Sequence, residues 1–325
     1  MKLQGLACVL ALTGLVSFAH TASGQGTVDQ NLQPYRVPTE HLKGKITLLG
    51  SYTMAEIVAI WGDNFRKLNP DVEIDIQVKG AVNAVPAIIN GETTFGLLSR
   101  PITEAEVLAF NQKFGYPPTI LTPALEPIAV YVHKDNPIQS LTLAQLDQIY
   151  STSLRRGAKK TAMTWGEVGA TGKWAEAAIM PLGRDDTTGS QVFIQQAVLG
   201  GGDFRNDLVH IKSNLDLVKK VASDPRTIGF AGSMYEIPEA RSLDLAWRDG
   251  DQAFDVKTPG YPLVRPLQLI INHPPQSEIS PLEREFLKYV FSRQGQEDVH
   301  IGGFISVPAR PAQIALEAVE IKTLN

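Results

Sequence analysis

The chain has 325 residues, 43% of them hydrophobic and 20% charged, with a formal net charge of -4. That length suits two packed domains, and that composition excludes a disordered chain. The mildly acidic balance also excludes a global electrostatic pull toward nucleic acid or anionic lipid, so a bound anion must be held by local N–H groups and a few placed cations.

Lys2, just after the initial Met1, precedes an apolar run over 6–19 and then small and polar residues to Gly26. These are the parts of a secretory signal peptide, expected over 1–24. The run is too short for a comfortable membrane span, and the competing reading as an anchor lacks a flanking stop-transfer charge. The single cysteine, Cys8, falls inside the run. An exported chain would then carry no thiol, which excludes disulfides, thiol nucleophiles and cysteine zinc sites. Residues 25–44 are polar and aperiodic and read as a spacer or a loosely docked arm.

From Lys45 strands and helices alternate, predicting an α/β architecture with mainly parallel sheets. Apolar or alternating runs predict strands at 46–49, 72–78, 95–98, 128–132, 228–231 and 263–271. Between them, Ile57, Ile60, Trp61, Phe65 and Leu68 recur at helical spacing. So do Leu143, Leu146, Ile149 and Tyr150, starting from Thr142 with Gln145 three residues on. A third stripe, Leu282, Phe286, Tyr289 and Val290, opens with Ser280, Pro281 and Glu283, the signature of a capped start.

Three strand-to-helix junctions can hold an anion. In Gly50-Ser51-Tyr52-Thr53-Met54-Ala55-Glu56, Thr53 and Glu56 have capping-box spacing, and the free N–H groups and dipole of a helix start favour negative charge. An ordinary capped helix explains the same pattern. Gly80-Ala81-Val82-Asn83-Ala84-Val85-Pro86 is the second junction; alone it reads as a plain turn. In Gly183-Arg184-Asp185-Asp186-Thr187-Thr188-Gly189-Ser190-Gln191, Thr188 and Gln191 again have box spacing, and Gly189 permits close backbone approach. Arg184 adds a planar fork of donors suited to two oxygens of one anion. The alternative is a surface turn with Arg184 paired to Asp185 or Asp186.

Signals for catalysis and metals are missing elsewhere. The stretch 166–173 lacks the P-loop glycine spacing and has Trp174 where Ser or Thr belongs. His41, His133, His210, His273 and His300 show no H-x-x-x-H pairing, and no nucleophile elbow occurs. No catalytic residue, metal or cofactor is expected.

Taken together, these segments resemble the periplasmic phosphate-binding proteins of ABC transporters, over about residues 45–314. The shared order also includes Gly96-Leu97-Leu98-Ser99-Arg100-Pro101, then Ile128-Ala129-Val130-Tyr131-Val132-His133-Lys134-Asp135-Asn136-Pro137. It continues with Ile228-Gly229-Phe230-Ala231-Gly232, Tyr261-Pro262-Leu263-Val264-Arg265-Pro266-Leu267 and Ser292-Arg293-Gln294-Gly295-Gln296.

The resemblance implies a type II periplasmic-binding-protein fold: two α/β domains, 45–127 plus 265–325 and 128–264, joined by two hinge crossovers around a ligand cleft. It implies a periplasmic or secreted monomer that is not an enzyme and has no nucleic-acid partner. Such a protein captures phosphate or a related tetrahedral oxyanion for an ABC-transporter permease. The binding residues it implies are Thr53, with Met54 beside it, and Arg184, Thr188, Gly189 and Ser190. Two further binding positions depart from the family pattern. Ala81 stands where a Gly-Ser-Gly loop usually has its serine. Thr94 stands where an aspartate usually accepts the proton of hydrogen phosphate and repels sulfate; threonine is uncharged and both donates and accepts. A different oxyanion, a phosphorylated ligand, or a surface or scaffold protein that no longer transports are the alternatives. Glu126, Arg100 and Ser99 are the polar residues that could compensate.

Overall fold

Strand β1 (Gly44–Gly50), helix α1 (Ala55–Leu68) and strand β2 (Val72–Val78) form a βαβ unit in the computed structural model, which describes residues 28–321. The expected signal peptide lies outside the described residues. Helix α2 (Ala84–Ile89) leads into β3 (Phe95–Leu98), parallel to β1 on its other side, and α3 (Glu104–Phe114) follows. The amphipathic stripe of α1 buries Ile57, Trp61 and Phe65 as its spacing requires, and the Trp61 indole donates to Gly295 O at 2.8 Å.

The long strand β4 (Thr119–His133) then leaves this first half of the molecule. The second half contains β5 (Ser140–Thr142), α4 (Leu143–Tyr150), β6 (Met180–Gly183), α5 (Gly189–Ala197) and β7 (Val209–His210). It continues through α6 (Asn214–Ser223), β8 (Thr227–Gly232), β9 (Ala240–Ser242) and β10 (Asp244–Ala246). The capping box at the start of α4 is formed: Gln145 N–H donates to Thr142 Oγ1 at 3.2 Å and Thr142 N–H to Gln145 Oε1 at 2.9 Å. Strand β11 (Val264–Ile271) returns to the first half, which is completed by α7 (Pro281–Val290), α8 (Arg293–Ile301), β12 (Ile305–Ser306) and α9 (Ala309–Glu317). Helix α7 starts as its sequence dictates, with Ser280 Oγ accepting from Glu283 N–H and proline in the first turn.

The main sheet runs β2-β1-β3-β11-β4-β8-β6-β7. Its two outer parts are parallel, but β11 is antiparallel to both β3 and β4, and β4 is antiparallel to β8. The expectation of mainly parallel sheets therefore fails at the centre, and the reason is topological. One strand carries the chain out of the first half and the other carries it back, so as neighbours they must run in opposite directions. Strand β4 changes partners at one step: Pro127 pairs with Val264 of β11, and Ile128 with Gly232 of β8. The apolar core divides at the same place. One large cluster draws on residues 128–263, including Trp165, Tyr150 and Phe230; the other draws on residues before 125 and after 266, including Trp61, Phe65 and Phe286.

The polar arm is not loosely docked where the structure describes it. Leu32, Tyr35 and Leu42 are buried in the core of the first half. Ala309 N–H donates to Asp29 Oδ2 at 2.9 Å, Arg293 N–H to Gln33 O at 2.9 Å, and Tyr35 N–H to Gln294 Oε1 at 2.8 Å. Three apolar residues at 32, 35 and 42 follow no period, so pattern reading misses them. Leu32→Ala is expected to lower stability by about 2–4 kcal/mol, the cost of a buried leucine truncation, measured by urea unfolding.

Candidate functional site

Strand β1 ends at Gly50, whose φ of 145° and contact geometry both demand glycine: a Cβ there would stand 2.4 Å from Leu97 O. The tight turn aims Ser51 inward. Its hydroxyl donates to Ser99 Oγ at 2.8 Å and accepts from Thr53 N–H at 3.1 Å. Thr53 does not cap α1 as its spacing with Glu56 predicts. The N-cap position belongs to Met54, without a side-chain cap, and the Thr53 N–H that a capping-box Glu56 would bind goes to Ser51. The Thr53 hydroxyl instead accepts from Arg265 Nη2 at 3.1 Å. Met54 is fully buried in the apolar core, so only its backbone can face a ligand.

From the second half, α5 begins at Gly189 with Thr188 as its N-cap. Thr188 Oγ1 accepts from Gln191 N–H and donates to Asp185 O at 2.8 Å. The reciprocal half of the box is absent, because Gln191 Oε1 accepts from Arg184 N–H at 2.9 Å. Gly189 and Ser190 are buried. A Cβ on Gly189 would lie 2.2 Å from Ser99 Oγ and 3.3 Å from Arg265 Nη1. The first turn of α5 is therefore set directly against residues of the other half, with its free N–H groups at the junction.

Arg184 is buried and not paired with Asp185 or Asp186, which are exposed. Its Nε donates to Ile211 O at 2.9 Å, its Nη2 to Lys212 O at 2.7 Å, and its Nη1 to the Asn214 side chain. Burial holds this guanidinium below its ordinary pKa; Tyr235 acts in the opposite sense, and the positive charge of Arg265 adds to the lowering. Two guanidinium groups thus lie within electrostatic range of each other beside a helix N-terminus, a local field that favours an anion.

Arg265 is the residue that sequence reasoning missed. It stands at the start of β11 opposite Glu126 of β4, where the two crossovers meet, and the pair is 0% and 2% exposed. Arg265 Nε and Nη2 both bind Glu126 Oε2, at 2.8 and 2.7 Å. Arg265 Nη1 and Glu126 Oε1 are buried with no protein partner. A Cβ on Gly232, the last residue of β8, would lie 2.4 Å from that Oε1. The available signal was a charge in each of two otherwise apolar strands, since buried Arg and Glu are rare unless paired.

Thr53 and Gly189 meet at this junction, Thr188 and Ser190 flank Gly189 at the start of α5, and Arg184 lies within electrostatic range of Arg265, while two predicted positions do not join them. Ala81 begins a 3-10 turn and packs its methyl among Ala84, Val85, Leu98 and Ile270, although Gly80 N–H reaches Gly50 O at 2.8 Å. Thr94 lies apart from them. Its N–H donates to Thr47 O at 3.0 Å and its hydroxyl accepts from Thr47 N–H at 3.1 Å, at the N-terminal end of β3. A strand's rise puts it roughly 15 Å from Ser99, toward the other end of β3. Arg100 is also spent, in a two-pronged pair with Glu106 at 2.8 and 2.7 Å.

A family model described as a PBP superfamily domain matches residues 21–294. The phosphate-binding protein PstS of Pseudomonas aeruginosa is 34% identical over 322 residues, covering 98% of this chain and 99% of its own length. Protein SphX of Synechococcus elongatus is 27% identical over 273 residues, 82% of this chain and 78% of that one. Among solved structures, an ABC-type phosphate transport receptor from Vibrio cholerae matches with a TM-score of 0.66 at 19% identity, over 81% of this chain and all of that one. PstS from Borrelia burgdorferi matches with a TM-score of 0.57 at 19% identity, over 81% and 99%.

Proposed function

From the premise that this chain belongs to the phosphate-binding proteins of the PBP superfamily, we propose that it is an exported monomer that captures inorganic phosphate for uptake by an ABC transporter. The observation that carries this is the first turn of α5 facing a buried Arg265 whose Nη1 has no protein partner. A helix N-terminus with a fixed guanidinium and the hydroxyls of Thr53 and Ser99 suits a small tetrahedral oxyanion. Binding and release need no covalent step. The two core clusters act as two domains, 45–127 plus 265–325 and 128–264, which hinge at the partner exchange of β4 and close on the anion. The periplasm or the cell exterior is its place, and a permease its partner.

Calorimetry on ligand-stripped mature protein against phosphate, arsenate, sulfate, molybdate and a phosphonate tests this. Phosphate is expected at micromolar affinity or tighter. Arg184→Ala removes a buried cation and strips Ile211 O and Lys212 O of a donor. It is expected to weaken phosphate by about 2–5 kcal/mol, ~30-fold or more. Silence across the panel would refute oxyanion capture and favour a scaffold role. A second reading, a different oxyanion, rests on Ala81, whose methyl offers no hydroxyl; it predicts sulfate or molybdate binding tighter than phosphate.

A further inference from the structure

Resting on the phosphate reading, we infer that Asn214 is a positioning residue for the anion site: a neutral acceptor that fixes the Arg184 guanidinium and leaves its positive charge to the ligand. Four arginines are buried among the described residues: Arg100, Arg184, Arg205 and Arg265. Three of them pair with a carboxylate, Arg100 with Glu106 at 2.7 Å, Arg205 with Asp207 at 2.5 Å and Arg265 with Glu126 at 2.7 Å. Arg184 alone of the four is held by neutral oxygens, those of Ile211 O, Lys212 O and the Asn214 side chain. A buried charge is rarely left without an opposite one, so this cation stands out from the other three.

Strands β6 and β7 run parallel with Gly183 opposite His210, so Arg184 and the turn 211–214 leave the sheet side by side. Two carboxylates, Asp185 and Asp216, lie within electrostatic range of the guanidinium, and both are tied to local hydroxyls instead. Asp185 Oδ1 accepts from Thr187 N–H at 2.9 Å and from Thr187 Oγ1 at 2.5 Å, and Asp216 Oδ2 accepts from Ser213 Oγ at 2.6 Å. Asn214 is the one side chain among the three partners of Arg184, and it is the first residue of α6. An aspartate there would be favoured by the helix dipole and would also pair with Arg184. Asparagine forgoes both contributions and keeps the charge. A guanidinium has five N–H donors, and Arg184 spends three on these oxygens, which leaves one N–H on each terminal nitrogen. A carboxylate at 214 would preserve the shape of this support and cancel most of the field it holds in place.

Calorimetry with inorganic phosphate and urea unfolding on wild type, Asn214→Asp and Asn214→Ala test this, with Arg184→Ala as the reference. N214D is expected to bind phosphate about 30-fold more weakly than wild type with no loss of stability. N214A keeps the charge and removes one of three tethers, so its loss is expected to be smaller, about 3- to 10-fold. A purely structural Asn214 predicts the reverse order, because aspartate retains the size and the hydrogen bond and alanine retains neither. N214D as tight as wild type, or N214A weaker than N214D, therefore overturns the inference and leaves phosphate capture standing. R184A as tight as wild type removes Arg184 from the site, and the role of Asn214 falls with it. An N214D chain that does not fold also overturns it, since aspartate at this place should gain an ion pair. No phosphate binding by wild type removes the phosphate reading itself.

Discussion

Gly189→Ala should weaken phosphate binding roughly 10- to 100-fold while changing the stability of the unliganded protein by no more than about 1 kcal/mol. The added methyl would stand 2.2 Å from Ser99 Oγ, closer than real contacts allow, and a tight 3.0 Å from Ser99 O. Ser99 cannot swing away freely, because its hydroxyl accepts from buried Ser51 at 2.8 Å. The contact lies between two halves that separate when the cleft opens, so the easiest relief is to open it. Overpacking of this kind costs about 1–3 kcal/mol, and here that cost falls on the closed, liganded form alone. Within α5 the change is mildly favourable, since alanine is up to ~1 kcal/mol better than glycine in a helix and Gly189 has no left-handed φ to satisfy. Calorimetry for affinity and urea unfolding for stability separate the two effects. Adding Ser99→Gly to the same chain removes the closer contact and should restore part of the affinity, short of the share the Ser99 hydroxyl itself supplies. Unchanged affinity in G189A would mean that α5 does not dock on Ser99 when ligand is held.

Much of this architecture was written in local pattern, and the exceptions have a common cause. Strands 72–78 and 95–98 were legible to the residue, because alternation or a short apolar run has one low-energy reading beside a helix. The starts of α4 and α7 were legible because capping is a contact between residues three apart. The start of α5 at Thr188 was legible for the same reason, although half its box is not formed. What failed depends on residues far apart in sequence. Thr53 was read as a cap, but its hydroxyl is claimed by Arg265, 212 positions away. The antiparallel centre of the sheet follows from where the chain must cross twice, which no window of ten residues records. The place of Thr94 in the fold is set by Thr47 of β1, 47 positions away, to which it is hydrogen-bonded through both N–H and hydroxyl. Arg265 looked like an ordinary member of a strand. Only its register opposite Glu126 shows it as one half of a buried ion pair at the crossover.

Arg265→Met should lose about 3–5 kcal/mol of stability and all measurable phosphate binding, and the two losses have different origins. The first arises because Glu126 is left as an uncompensated buried charge, 2% exposed, in the middle of the sheet. The second arises because Nη1, the free donor facing α5, is gone. The double variant Arg265→Met, Glu126→Leu separates them. Replacing a whole buried ion pair by apolar residues of similar volume is often neutral or even stabilising by about 1–4 kcal/mol. The double variant should therefore recover most of the lost stability and still bind no phosphate. That outcome would place the pair in the category of groups kept for the ligand rather than for the fold. A double variant that stays unstable would show instead that β4 and β11 need the pair to hold their register. One that regains phosphate binding would remove Arg265 from the site and leave Arg184 and the α5 amides as its cationic half. Location makes the functional outcome the stronger expectation. The pair sits at the single step where β4 exchanges β11 for β8, so a ligand that satisfies Nη1 also ties together the two strands about which the halves turn. Occupancy and closure would then be one event, read out at the hinge itself.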